Sequence, residues 1–434
     1  MNRIKRIIQN RMVRNASWLM LGRIFHIIIN FFVGILTARY LGPSNYGIIN
    51  YAAAYATFFT SFCTLGINSV IVKILIDNPK EEGEALGSSI VMRMISSILS
   101  LMTIVGIVSV IDHSEPLSVF VTFLYSISLL FQVFDTFNYW FQARLLSKYF
   151  AIATLVSYSI ASAYKVLLLA FGMSVEWFAI SNSVDSFFVA LFLYIFYKKK
   201  NGPKLSFSMR KSKEILADSY NYILPGLMVS IYAATDKLML EQMMSKESVG
   251  YYSLAVQISL LWAFVLGAII DSLRPTIMEY HNTDKKKYLL YNRRLYALVF
   301  YVSVAFSAMF SIIAPLFIGI IYGEAYLPAV QPFRVVVWYV GFSYLGVARN
   351  IWIVCERKQR YVKYIYFASA AINVALNYLL IPLIGTTGAA LASLITQIST
   401  IFGVPLLMKD LRSVTRLILS GIMLKDGVLP VRKK

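Results

Sequence analysis

The chain has 434 residues, of which 58% are apolar and only 14% are Asp, Glu, Lys or Arg, against about a quarter charged in soluble domains. Its formal charge of +20 would point to nucleic acid if the basic residues formed one patch, but they are dispersed between apolar runs. These two facts exclude a soluble globular enzyme and a nucleic-acid-binding domain, and they place the chain in a membrane.

Apolar runs occupy residues 17–38, 48–72, 89–111, 117–140, 150–171, 176–197, 218–240, 249–272, 295–317, 332–354, 363–383 and 387–408. Each matches the ~20 residues that a helix needs to cross a bilayer. Hydrocarbon offers the backbone amides no water to pair with, so the spans must be helical. The expected fold is an all-α polytopic membrane protein with about twelve transmembrane helices. The first run extends to Ala38, too long for the apolar core of a signal peptide, and reads as an uncleaved span. Cys63 and Cys355 are far apart and lack metal-ligand spacing, so neither a disulfide nor a metal site is expected.

Basic residues collect in alternate gaps. Arg3, Lys5, Arg6, Arg11 and Arg14 precede the first span, and later clusters are the run from Lys198 to Lys213, Lys285, Lys286, Lys287, Arg293 and Arg294, and Arg357, Lys358, Arg360 and Lys363. The opposite side carries only Arg39 and Lys246 near its loops. The positive-inside rule therefore places both termini in the cytoplasm. The outer loops at 112–116, 172–175 and 385–388 leave no room for an external enzyme domain. The longest polar connection divides the chain into a cytoplasmic segment 1–16, a six-helix bundle 17–197, a linker 198–217, a second six-helix bundle 218–408 and a cytoplasmic tail 409–434. Tyr46-Gly47-Ile48-Ile49-Asn50-Tyr51-Ala52 is echoed by Val249-Gly250-Tyr251-Tyr252-Ser253-Leu254-Ala255, as an internal duplication would produce. Parallel repeats of that kind place a substrate site where the halves meet.

Polar residues inside the spans are the next signal, because a charge at a helix centre costs about 2.5–3.5 kcal/mol on insertion scales. Arg23, His26, Asn30 and Thr37 share one helical face, as do Ser128, Gln132, Asp135, Tyr139 and Gln142. Asn182 with Asp185, Asp236 with Lys237, Arg349, Asn373 with Asn377, and Ser393 with Gln397 and Thr400 follow, beside the lone cations Arg93 and Lys165. One reading is a hydrated, net-positive cavity in which Arg23, Arg93, Lys165 and Arg349 bind an anionic cargo. In it, His26, Asp135, Asp185 and Asp236 are the candidates for coupling to H+ or Na+. The plainer reading is interhelical hydrogen bonding, worth about 0.6 kcal/mol per pair. On that reading Arg93 snorkels to the nearby basic side, and Asp236 and Lys237 neutralise each other. No GxxxxGK[ST], HExxH or GxSxG motif occurs, so neither ATP hydrolysis nor a resident cofactor is expected.

The segment Ala38-Arg39-Tyr40-Leu41-Gly42-Pro43-Ser44-Asn45-Tyr46-Gly47 is similar to the A-R-x-L-G-x-x-x-Y-G signature of the polysaccharide flippases. Asp236-Lys237-Leu238-Met239-Leu240 followed by Val249-Gly250-Tyr251-Tyr252 resembles that family's D-x-x-x-[LI]…[VL]-G-x-Y pattern. Along essentially its whole length the chain resembles a Wzx-type O-antigen or polysaccharide repeat-unit flippase of the multidrug/oligosaccharidyl-lipid/polysaccharide (MOP) exporter superfamily. The resemblance implies two six-helix bundles in a MATE-like V shape. It implies alternating access to an undecaprenyl-pyrophosphate-linked oligosaccharide, carried from the cytoplasmic to the periplasmic leaflet of a bacterial inner membrane. It also implies a polysaccharide polymerase and a chain-length regulator as downstream partners, beside membrane lipids. The competing readings are a multidrug antiporter of the same superfamily, which would want a net-acidic cavity, and a membrane polymerase or ligase, which would want a large catalytic loop.

Overall fold

The computed structural model describes residues 11–424, with side chains placed for Phe25 and for residues 28–424. Within that range every regular element is helical and none is a strand. The longest helix, α1 (Arg11–Thr64), holds the first two expected spans. At 1.5 Å per residue its 54 residues would run roughly 80 Å, more than twice the hydrocarbon thickness. Gly42 divides it with φ 67° and ψ 173°, and Pro43 opens the second stretch, where the missing N–H would have had no partner. Nothing lies within 4 Å of the place a Cβ on Gly42 would take. Glycine is needed there for its backbone conformation, not for space. The second span ends sooner than the expected 72: Leu65 and Gly66 both have positive φ, and a short α2 (Ile71–Asp77) follows.

The chain forms two compact units, residues 1–234 and 235–434. The first unit contains α1, α2, α3 (Glu82–Ile111), α4 (Pro116–Ser126), α5 (Ser128–Phe131), α6 (Thr136–Ala143), α7 (Lys148–Ala170), α8 (Val175–Lys199) and the first part of α9 (Met209–Met243). One buried core cluster joins Ile67 and Ile71, Leu86 of α3, Phe137 and Trp140 of α6, and Tyr197 of α8. The boundary lies inside α9, not in a linker at 198–217. That difference has a local cause: only 200–208 is non-helical, and this stretch is strapped onto α3. Ser206 donates its N–H to the Gly83 carbonyl at 3.1 Å, and Ser88 bonds both backbone groups of Ser208. A Cβ on Gly83 would strike the Lys204 carbonyl, and one on Gly87 the Ser206 carbonyl. Lys211, only 1% exposed, closes the strap with ion pairs to Glu81 at 2.6 Å and Glu214 at 3.0 Å.

The second unit holds the rest of α9 with α10 (Lys246–Leu261), α11 (Ala263–Thr283), α12 (Lys285–Tyr322), α13 (Val330–Cys355), α14 (Val362–Ile398), α15 (Val404–Leu407) and α16 (Arg412–Ile422). Ser245 caps α10, and Asp284 caps α12 by accepting from the Lys286 and Lys287 amides at 3.0 and 3.1 Å. α14 breaks at Ile384 and Gly385 between the last two expected spans. It then passes through a π-helical turn, Ser399–Gly403, before α15. The 409–434 segment, expected to be a plain tail, instead contains α16. That helix buries Val414, Leu417 and Ile418 in the core of this unit.

Eight helical elements among the described residues are long and apolar enough to cross a bilayer, against the twelve spans expected. One of them, Gln359–Leu407, carries two expected spans across the break in α14. The other expected spans lie in α1 and in α13, whose Arg334 and Arg349 dilute its apolar character. Large apolar side chains are exposed along the outer faces, among them Leu99, Met102, Ile312 and Leu316. Lipid is the medium that such faces require.

Candidate functional site

In the first unit the structure gathers four of the residues singled out by sequence. Arg93 lies on α3 and is only 4% exposed, so it does not snorkel. Its guanidinium donates to the Gln132 carbonyl at 2.9 Å, the Val133 carbonyl at 3.2 Å and Thr136 Oγ1 at 2.8 Å. Residues 132–135 form a 3-10 turn between α5 and α6, where carbonyls lose their helical partners. Arg93 fills that gap. Asp135 at the same turn experiences the charges of Arg93 and of Asp185 on α8, and Lys165 on α7 experiences that of Asp185. Ser157 Oγ reaches both the carboxylate and the backbone carbonyl of Asp185, at 2.7 and 2.6 Å. Two cations thus flank two neighbouring anions in one helical unit, in the order Arg93–Asp135–Asp185–Lys165. Sequence reasoning passed over Ser157 and Tyr158, although they precede Lys165 by two helical turns and so share its face.

In the second unit the centre is Asp236, 7% exposed. Its Oδ2 accepts from Ser393 Oγ at 2.6 Å and from the Tyr252 hydroxyl, and its Oδ1 accepts from Asn377 Nδ2 at 2.7 Å and Asn373 Nδ2 at 3.1 Å. A carboxylate has about four acceptor sites, and protein donors from α10 and α14 fill them. These donors hold the charge alongside the adjacent Lys237, on which the Asp236 charge also acts. Asp236 and Tyr252 are the two polar members of the second sequence pattern, and a hydrogen bond joins them. Every group that bonds Asp236 is an oxygen or an amide, and amide rotation exchanges oxygen for nitrogen.

Arg349 on α13 is 6% exposed and donates to the Thr400 carbonyl at 2.6 Å. The acceptor belongs to the π-helical turn, where the wider ring loosens the carbonyl from its helical partner. Arg349 Nε is buried without a partner, and no carboxylate pairs with this guanidinium among the described residues. Its electrostatic neighbours are Tyr296 and Tyr366, which sequence reasoning also missed. The side chains of Arg23 and His26 lie outside the described residues.

A model of the family described as "Polysaccharide biosynthesis protein" matches residues 12–281. The chain belongs to that family. Its long apolar helices make it a multi-pass membrane protein. Among solved structures it is similar to the lipid II flippase MurJ in an inward closed conformation, with a TM-score of 0.75 and 15% identity over 93% of this chain and 89% of that one. It is also similar to an inward-facing multidrug resistance MATE family transporter of the MOP superfamily, with a TM-score of 0.66 and 14% identity over 92% and 96%. A MOP superfamily transporter from Pyrococcus furiosus aligns with a TM-score of 0.53 and 14% identity over 95% and 94%. Among curated protein sequences none matches. At these identities the solved structures establish the fold. The matched region takes in the signature at 38–47, and Gly42-Pro43 within it forms the kink of α1. The signature's Tyr46 is buried, and its carbonyl accepts from Asn50 one turn later.

Proposed function

We propose that this protein flips undecaprenyl-pyrophosphate-linked oligosaccharide repeat units from the cytoplasmic to the periplasmic leaflet of the bacterial inner membrane, by alternating access. Both termini would be cytoplasmic, and the product would pass to a polysaccharide polymerase and chain-length regulator. The family match over residues 12–281 carries this reading. The geometry adds a physical reason for an anionic cargo: Arg349 is buried with no carboxylate beside it among the described residues, and a buried cation calls for a counter-charge. Arg349 and, from the sequence, Arg23 would hold the pyrophosphate, with Lys165 joining when Asp185 is protonated. Arg93, which donates to the Gln132 and Val133 carbonyls, would instead lock the turn between α5 and α6. Coupling to H+ falls to Asp135 and Asp185. The oxygen-rich surroundings of Asp236 have the chemistry for Na+.

The deciding experiment is a deletion strain complemented with the wild type or with Arg349→Gln. The deletion should accumulate lipid-linked repeat units in the inner leaflet and lose surface polysaccharide. The wild type should reverse both, while Arg349→Gln, inserted at normal levels, should restore less than a tenth. Normal leaflet distribution in the deletion, together with drug sensitivity, would replace this reading with that of a multidrug antiporter.

A further inference from the structure

Three basic loops converge at one end of the second unit. Glu356 receives Lys285 at 2.8 Å, which ties the start of α12 to the loop after α13. Asp410 receives Lys358 at 2.9 Å and Arg360 at 3.4 Å, which ties that loop to the start of α16. Two carboxylates thereby pin the loops together and neutralise few of their cations. Lys286, Arg357, Lys409 and Arg416 are exposed and have no carboxylate partner among the described residues.

The second observation is α16. Its apolar side is seated on α12, where the Arg293 carbonyl approaches so closely that a Cβ on Gly421 would meet it at 2.7 Å. The Tyr301 hydroxyl donates to the Ile422 carbonyl at 2.8 Å. The opposite side presents Arg412 and Arg416, one turn apart, with Lys409 just before them. Exposed Leu406 and Leu407 precede the helix and exposed Met423 follows it. A short helix with one basic face, flanked by bare apolar residues in a multi-pass membrane protein, belongs at the level where acyl chains give way to headgroups.

We propose that this end of the second unit is a docking surface for anionic phospholipid, with Lys409, Arg412 and Arg416 holding the headgroup phosphate and Leu407 and Met423 against the acyl chains. The surface is separate from the cargo residues, so its test does not depend on the transport reading. Clusters of Lys and Arg beside a membrane recognise anionic lipids in this way.

The purified full-length protein in mild detergent is titrated with phosphatidylglycerol or phosphatidylcholine, and bound lipid is counted by native mass spectrometry. The wild type should prefer phosphatidylglycerol. Each lost cation should weaken that preference about fivefold, so Lys409→Gln/Arg416→Gln should lower it at least tenfold. Lys73→Gln/Lys80→Gln, on the first unit, should leave it unchanged. With no variant at all, raising salt from roughly 0.05 to 0.5 M should abolish the preference, because exposed charges are screened. Equal binding of the two lipids by the wild type, or an unchanged preference in the double variant, overturns the proposal. So does binding of a polyglutamate peptide without binding of phosphatidylglycerol, which would make the partner an acidic protein.

Discussion

Removing the Asp236 side chain would strand the Tyr252 and Ser393 hydroxyls in a buried site and leave Asn377 and Asn373 only their bonds to the Asn373 carbonyl at 3.0 Å and Ser393 Oγ at 3.4 Å. Asp236→Ala should therefore cost about 3–5 kcal/mol, the range for breaking a buried charge network. Asn373→Ala should cost about 1–2 kcal/mol. The pair should cost less than the sum, since the second change removes a donor that has already lost its carboxylate. Thermal unfolding of the purified protein in detergent reads all three. A different carboxylate governs the loops outside the membrane. Lys358 first, then the Tyr361 hydroxyl, hold the Asp410 carboxyl down at about 2 from its ordinary 3.8. Its folded-state value is depressed, so its stabilising contribution is fully present above pH 3.8 and is lost as pH falls through about 2. Pepsin should cut around 408–412 slowly at pH 4 and much faster below pH 2. Measured against a pepsin site elsewhere in the chain, Asp410→Asn should remove the extra acceleration at 408–412. Single residues at this scale were legible as types, since a charge inside an apolar run announces itself. Their partners were not. The donors to Asp236 on α14 lie 137 to 157 residues away, and no local pattern links them.

At the level of elements, the apolar runs marked where helices lie but not how they break. Gly42-Pro43 was visible as part of a signature, and its conformation turns one 54-residue helix into two spans. The 3-10 turn at 132–135 had no comparable marker. It is held from another helix by Arg93, whose long side chain suggested snorkelling. The strap at 200–208 looked like a linker because its composition is polar and glycine-containing. The missed signal was on α3, where Gly83 and Gly87 stand four residues apart and clear one face for a close-approaching backbone. Gly87→Val should push the strap off, since its Cβ cannot coexist with the Ser206 carbonyl. Trypsin should then cut at Lys204 at least tenfold faster, while the helices stay protected. α16 was overlooked for a different reason: eleven residues are too few to span, and a search for spans discards them. Its periodicity, Leu411, Val414, Ile418 and Gly421, was present all along.

For the whole molecule, voltage is the natural test of an anionic cargo. An inside-negative potential favours outward movement of each net negative charge by ~2.3 kcal/mol per 100 mV. Proteoliposomes carrying a fluorescent polyprenyl-diphosphate glycan should show faster outward flipping when a potassium gradient sets that polarity, and slower flipping when it is reversed. Indifference to polarity would mean that the translocated complex is neutral, with charge compensated by the protein or by a co-moving ion.

The arrangement around Asp236 also sets an order of events at the ribosome. The carboxylate enters the bilayer when α9 is made, yet both asparagines and Ser393 lie on α14, far downstream. At 5–20 residues per second the nascent chain must shelter that unmatched charge for roughly 7–30 s. The second unit therefore matures only once its late helices arrive, and a chain truncated before α14 should be held by insertion chaperones or degraded.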